Sequence, residues 1–339
     1  MRRVLARVAI LASVTPVEGL ILLGAGRIEG MEWTVAVPMT YTAGDRGVYI
    51  EIDALLPETP WADALVGKNR IIKTKKIRGV LSQGLFVPFS ALLTTYPTLA
   101  DTPLGTDVTA LLGITKCPET PKATTSAPSS AVTYAQALGE DAPPKTDELR
   151  VQSYKHFLSH IVGNPYVITL KYDGTSATYG YRPTGFVATS RNFLAAADSV
   201  YYTVAATYGL EATLAVHPHY VVQGEIYGPK INGNALEVPD VRLAVFNVWD
   251  RRTKTYLDEL TMRQWCSAQS PVLPTVEVLE QGDAFPAGYT AQTLVEKAGG
   301  VYPPPSTKPR EGIVVRPIRP MFTEKGERVS VKAINNASL

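Results

Sequence analysis

Hydrophobic and polar positions change their rhythm twice along this chain. Up to about residue 115 they alternate at a period of two. "VLARVAILASV", "WTVAVPM", "GVYIEID" and "RIIKTKKIRGVLSQGLFVP" set β-branched and apolar residues against polar ones, between turn clusters such as "AGDRG" and "LPETPW". Several short strands with one brief helical piece predict a small barrel. From Cys117 the rhythm disappears into "CPETPKATTSAPSSAVTYAQALGEDAPPK". This stretch is too poor in large apolar residues to build a core of its own, so 117–148 is expected to be a linker. Both periods return in 149–339. Strands are predicted at "PYVITLKY", "TGFVATS", "YVVQGEIYG", "RLAVFNVWD", "EGIVVRP" and "RVSVKAIN". Helices are predicted at "DELRVQSYKHFLSHIV", "NFLAAADSVYYTVAATYG", "YLDELTMRQWCSAQ" and "AQTLVEKAGG". The two types do not alternate regularly, which argues against a doubly wound parallel sheet and for mainly antiparallel sheets with helices packed outside.

Composition narrows this α+β picture. The 339 residues are 45% hydrophobic and 19% charged, with a net charge of +2, ordinary for a globular chain. Near-neutrality removes any global electrostatic case for nucleic acid and leaves a local one. "KNRIIKTKKIRG" gathers Lys68, Arg70, Lys73, Lys75, Lys76 and Arg78. Such a run is either one solvated strand face or a surface that tracks phosphates. Cys117 and Cys266 are too far apart in sequence to suggest a zinc pattern or a disulfide framework. "HPHY" has no cysteine or acidic partner nearby for a metal site and reads as a loop or strand end. Arg7 breaks the first apolar run, so a first strand is expected there rather than a signal peptide. No run of about 20 apolar residues is present to span a bilayer, and a cytoplasmic location is expected.

The chemistry begins in "VITLKYDGTSATYGY", where Lys171 ends an apolar strand just before Asp173 and Gly174. Alone, Asp-Gly is a favoured turn. Its company changes that. "QGEIYGPKINGN" puts Glu225 on a strand that runs into a Gly-rich loop, and "RLAVFNVWD" puts Phe246 on the next strand. "EGIVVRP" starts with Glu311, and "RVSVKAINN" carries Lys332. Cations for phosphate, carboxylates for a divalent metal and an aromatic face for a base are the requirements of nucleotidyl transfer.

In this order, these residues resemble the covalent nucleotidyltransferase superfamily of polynucleotide ligases and mRNA capping enzymes. The Lys-x-Asp-Gly motif is matched by "KYDG" and the Ser-Arg-Asn element by Ser190, Arg191 and Asn192. The Gly-Glu motif is matched by Gly224 and Glu225, the Phe-containing strand by Phe246, and the Glu-Gly motif by Glu311 and Gly312. Lys332 matches the final lysine. Many members carry Lys-x-Lys there, whereas this chain has Ser330-Val331-Lys332, so only the second lysine carries over. With Ala333–Leu339 alone after Lys332, an OB domain is expected before the catalytic domain rather than behind it. That layout, with "RVQSY" and "SVKAINN", looks like the ATP-dependent RNA ligases of the Deinococcus type.

The resemblance implies an OB-like nucleic-acid-binding domain at 1–116 and an adenylyltransferase domain at 149–339. It implies ATP, with Mg2+ or Mn2+, and sealing of 3′-hydroxyl/5′-phosphate nicks through a lysyl–AMP intermediate. Lys171 would attack the α-phosphorus, its neutral form favoured by burial and by a cationic neighbour. Lys332 would stabilise the α-phosphate and Glu311 would bind the metal. Glu225 would lie near the ribose, Phe246 would stack on adenine, and Arg191 would grip a phosphate. Asp173 would order the turn and Gly174 would permit close approach of the backbone to the nucleotide. Lys73, Lys75, Lys76 and Arg78 would contact nucleic acid. The expected partner is a nicked duplex with RNA on the 3′-hydroxyl side, bound by a monomer. A DNA ligase of unusual domain order and a binding protein with a decayed ligase domain are the competing expectations.

Overall fold

The computed structural model of the chain describes residues 4–117 and 132–338. Two compact units are present, Met1–Thr120 and Pro121–Leu339.

The first unit is built on an antiparallel five-stranded sheet. Its strands are β1 (Ala6–Pro16), β2 (Leu23–Ile28), β3 (Thr34–Pro38), β4 (Arg46–Ile50) and β8 (Leu85–Pro88), in the order β3-β2-β1-β4-β8. β1 feeds both of its neighbours, pairing Ala6–Ile10 with β4 and Leu11–Pro16 with β2 across a register shift. Splitting one strand between two partners is how a sheet curls toward a barrel. The alternation read in the sequence puts Leu5, Val8, Val48 and Ile50 into one core with Trp61 of α1 (Pro60–Val66). Leu11, Trp33, Tyr49 and Phe86 fill a second core. Short strands β5 (Ala54–Leu55) and β9 (Thr115–Lys116) pair with each other. The end of the basic run enters a two-stranded ribbon of β6 (Lys75–Ile77) and β7 (Val80–Ser82). Positive φ at Arg78 and Gly79 supplies the turn that a tight hairpin of right-handed twist requires.

Part of the stretch expected as a linker, 118–131, lies outside the described residues. The next element along the chain is helix α2 (Tyr134–Leu138), opened by a Thr133–Gln136 capping box. Tyr134 and Leu138 are buried. Arg182 and Arg251 both donate to the Leu138 carbonyl and to Asp141, so this segment is strapped onto the second unit.

Two five-stranded sheets make the second unit. One has the order β10-β19-β18-β11-β17, from β10 (Leu149–Arg150), β11 (Tyr166–Lys171), β17 (Val278–Gly282), β18 (Gly312–Pro317) and β19 (Val331–Ile334). The other has the order β13-β12-β14-β15-β16, from β12 (Thr175–Arg182), β13 (Gly185–Ser190), β14 (Tyr220–Tyr227), β15 (Arg242–Asp250) and β16 (Thr255–Tyr256). Pairing is antiparallel apart from β10 with β19. Helices α3 (Phe157–Ile161) and α7 (Ala291–Lys297) pack on the first sheet. α4 (Val200–Thr207), α5 (Leu210–Val216) and α6 (Glu259–Ser267) pack on the second. No helix among the described residues is long and apolar enough to cross a membrane.

Two helix expectations are shortened. "DELRVQSYKHFLSHIV" is helical only from Phe157, because Leu149 and Arg150 pair with Val331 and Lys332 and the Val151 N–H donates to the Lys332 carbonyl. "NFLAAADSVYYTVAATYG" is helical only from Val200, because Phe193 bridges Thr133 and the Leu194 N–H donates to the Val132 carbonyl. Tertiary backbone partners override local propensity in both.

Candidate active site

Period-two alternation builds the site. On β11, β18 and β19, the residues Tyr166, Ile168, Ile313, Val315, Val331 and Ala333 face one apolar core. The intervening Thr169, Lys171, Val314, Arg316 and Lys332 must then face the other way, and all of them line one cavity. On the second sheet, Ala177, Val222, Ile226 and Val245 enter a different core, while Ser176, Glu225 and Phe246 face the cavity. The cavity, of about 90 Å³, thus lies where the polar faces of two sheets meet.

Asp173 and Gly174 join those sheets. β11 and β12 are not paired with each other, and neither residue has the positive φ of a tight hairpin turn. The pair is therefore a crossover, not the end of a hairpin. A Cβ on Gly174 would run into the carbonyl of Ile226, so glycine lets β12 enter beside β14. Asn232 fixes the crossover, donating to Asp173 Oδ1 at 2.9 Å and to the Gly174 carbonyl at 2.5 Å.

Lys171 Nζ lies 2.6 Å from Glu311 Oε2, both side chains about a quarter exposed. Burial acts on the second lysine. Lys332 lies 3.5 Å from Asp147 Oδ1, and burial with help from Lys171, Arg150 and Arg191 pulls its pKa down to about 8. Glu225 is pushed up to about 7, first by burial and then by Glu311 and Asp173, with Lys171 and Arg191 pulling the other way.

Arg191 reaches the cavity from a turn that Ser190 ties, its hydroxyl accepting from the Asn192 and Phe193 N–H groups and donating to the Phe193 carbonyl. The Asn192 side chain accepts from Lys145 at 2.9 Å. Phe246 is half-buried in the cavity wall. Ser330, where a lysine is common in the family resembled, is buried and accepts from Arg316 Nε at 3.0 Å. Arg316 also donates to Glu148, Asn247 and the Phe246 carbonyl.

The structure therefore brings Lys171, Arg191, Glu225, Phe246, Glu311 and Lys332 together, with Asp173 and Gly174 at the hinge between the sheets. Lys73, Lys75, Lys76 and Arg78 lie in the other unit, all exposed. Thr146, Asp147, Glu148, Ser176 and Arg316 are wall residues that the sequence pattern does not reveal. The first three fall in the stretch 117–148 expected as a linker, and Arg316 follows an apolar run. Among the described residues no group of three or more His, Cys, Asp or Glu side chains forms a ready-made metal cage.

Comparison with known proteins gives a family and a fold. The RNA ligase family model matches residues 164–334, and an OB-fold domain model matches residues 5–89. The curated proteins yield no match. Among solved structures, a mutant Naegleria gruberi RNA ligase with AMP and manganese superposes with a TM-score of 0.81 at 26% identity, over 99% of this chain and 98% of that one. The same ligase with pyrophosphate gives 0.80 at 26%, over 99% and 98%. A further mutant with ATP and manganese gives 0.80 at 25%, over 99% and 98%.

Proposed function

This chain belongs to the RNA ligase family, and on that premise we propose that it seals 3′-hydroxyl/5′-phosphate nicks through a lysyl–AMP intermediate. It is an ATP-dependent enzyme that uses a divalent metal, as the related ligase bound to ATP or AMP with manganese supports. The observation that carries the reading is the convergence of two lysines, two glutamates, an arginine and a phenylalanine on one cavity.

Lys171 Nζ attacks the α-phosphorus of ATP, the bond to pyrophosphate breaks, and the amine sheds a proton. Glu311, 2.6 Å from the amine, would hold the divalent cation beside it. Lys332 and Arg191 hold the charge on the phosphate oxygens. Phe246 offers a face for adenine and Glu225 reaches the ribose side. AMP then passes to a 5′-phosphate, and the adjacent 3′-hydroxyl displaces it.

The carboxylates fit a hard divalent cation. Glu311 would hold it, and a cation would favour the charged form of Glu225, which burial first, then Glu311 and Asp173, push toward the neutral one. With so few protein donors the ion would keep several waters. When bound, magnesium or manganese neutralises phosphate charge.

The β6–β7 ribbon, its lysines in water, would track the backbone of a nicked duplex, and the protein would act as a monomer in the cytoplasm. Incubation with ATP and magnesium followed by peptide mass mapping should find AMP on Lys171. No adduct, or an adduct elsewhere, overturns the reading. Nicks ending in ribose should be sealed faster than nicks ending in deoxyribose at the 3′-hydroxyl; the reverse order would make the enzyme a DNA ligase.

A further inference from the structure

Lys171 and Glu311 occupy the end of the β11–β18 ladder, whose last pair is Lys171 with Gly312. Lys171 closes β11, and Glu311 precedes β18. Strand ends are where backbone position is least fixed, yet these two must meet within hydrogen-bond range. One side chain spans this end. The Tyr302 hydroxyl accepts from the Glu311 N–H at 3.0 Å and donates to the Lys171 carbonyl at 3.3 Å.

Tyr302 lies in the loop between α7 and β18, and its side chain is 1% exposed. Its ring is packed in a cluster with Leu170, Tyr227, Leu236 and Val238, so the hydroxyl has little freedom. The loop is anchored in turn: the Tyr302 N–H donates to the Lys308 carbonyl, and Ser306 Oγ donates to the Ala235 carbonyl at 2.7 Å. On its other side, the Glu311 carbonyl accepts from the Asn335 N–H at 2.9 Å. The backbone of Glu311 is thereby gripped by Tyr302 at its amide and by the end of β19 at its carbonyl.

We propose that Tyr302 is a positioning residue for lysine adenylylation, its hydroxyl locking the backbones of Lys171 and Glu311 so that amine and carboxylate meet in register. This rests on the ligase reading above. It assigns Tyr302 no contact with ATP or with the strands to be joined. Its effect must therefore concentrate in the step where Lys171 is the attacking group. Joining of a strand that already carries a 5′-adenylate bypasses that attack and should be spared.

The test is Tyr302→Phe, which keeps the ring and removes only the hydroxyl. Single-turnover formation of the AMP adduct from ATP and magnesium should slow by about tenfold to a hundredfold, the scale of a small misplacement at a reacting centre. Sealing of a pre-adenylylated nick by the same sample should stay within about twofold of wild type. That second rate also counts folded sites, so partial unfolding cannot imitate the result. Equal loss in both steps, or loss in neither, overturns the proposal and leaves the ligase reading intact. A wild-type enzyme that forms no adduct at all would remove both.

Discussion

Cations sit in two different environments in the two units of this molecule. In the first unit, Lys73, Lys75, Lys76 and Arg78 stand in water on and beside a two-stranded ribbon, over cores that are almost wholly apolar. A buried charge there, Glu51, is met by Arg7 at 3.4 Å. In the second unit, Lys332 and Arg316 are drawn into a cavity wall, 18% and 6% exposed. Behind them runs a hydrogen-bonded chain of buried polar groups, with Asn247 donating to Gln223, and Gln223 donating to Tyr134. Solvated cations act at a distance, weakly and additively, and are screened by salt. Buried ones act on one atom, and their desolvation makes them sensitive to each neighbour. On the proposed reading, the first arrangement would meet a polyanion of any sequence and the second one phosphorus atom.

The largest expected contrast is between replacements in the two sets. Lys171→Met should reduce AMP-adduct formation by about a thousandfold or more, since the proposed attacking atom would be gone. Replacing Lys73, Lys75 and Lys76 together by alanine should leave the adduct rate unchanged. Duplex affinity should instead weaken, with a salt dependence less steep by roughly 0.7–0.9 for each phosphate no longer neutralised. Titrating a nicked duplex at several salt concentrations measures this. An adduct rate that collapsed in the triple variant would erase the distinction between the units.

Next in size is the pH response of Lys332. With its pKa pulled down to about 8, this lysine loses its charge well before an exposed one. The kcat/KM for adenylylation, which reports on the free enzyme, should fall by about tenfold per pH unit above that value. Lys332→Arg keeps a charge at all working pH values and should move the fall upward. A profile identical to wild type in the arginine variant would show that another group titrates.

The smallest effect is on stability. The Glu225 carboxyl is raised from an ordinary 4.5 to about 7. Between these values the folded protein keeps a proton that the unfolded chain has released. Stability therefore falls as pH rises across that window and stays lower above it. Glu225→Gln should abolish this fall, making the metal-free variant more stable at pH 8 by about 1–3 kcal/mol. Urea melts at pH 5 and pH 8 would check it, and an unchanged pH dependence would place the strain elsewhere.

The order of motifs and most strands were legible because both are local. A period of two decides which face a side chain occupies, and β15 runs over Arg242–Asp250 as its pattern reads. The same rule explains why Lys332 and Thr169 face a cavity while Val331 and Ile168 do not. Strand β12 and helix α5 do not stand out from their patterns, and the Asp173-Gly174 crossover looks like a hairpin. Sequence cannot tell a chain that turns back on its own sheet from one that leaves it. The linker composition likewise hid Asp147 and Glu148, whose partners are Lys332 and Arg316.

By itself, then, the sequence determined the two kinds of segment, the residues with chemical capacity and the face each would take. Only the tertiary structure decided which groups meet. Lys171 and Glu311 pair across 140 residues, and Tyr302 bridges them from a loop without any motif. The physical reason is that a side chain's identity and period are fixed by its neighbours in the chain. Its desolvation and its charge partners are fixed by whatever folds against it.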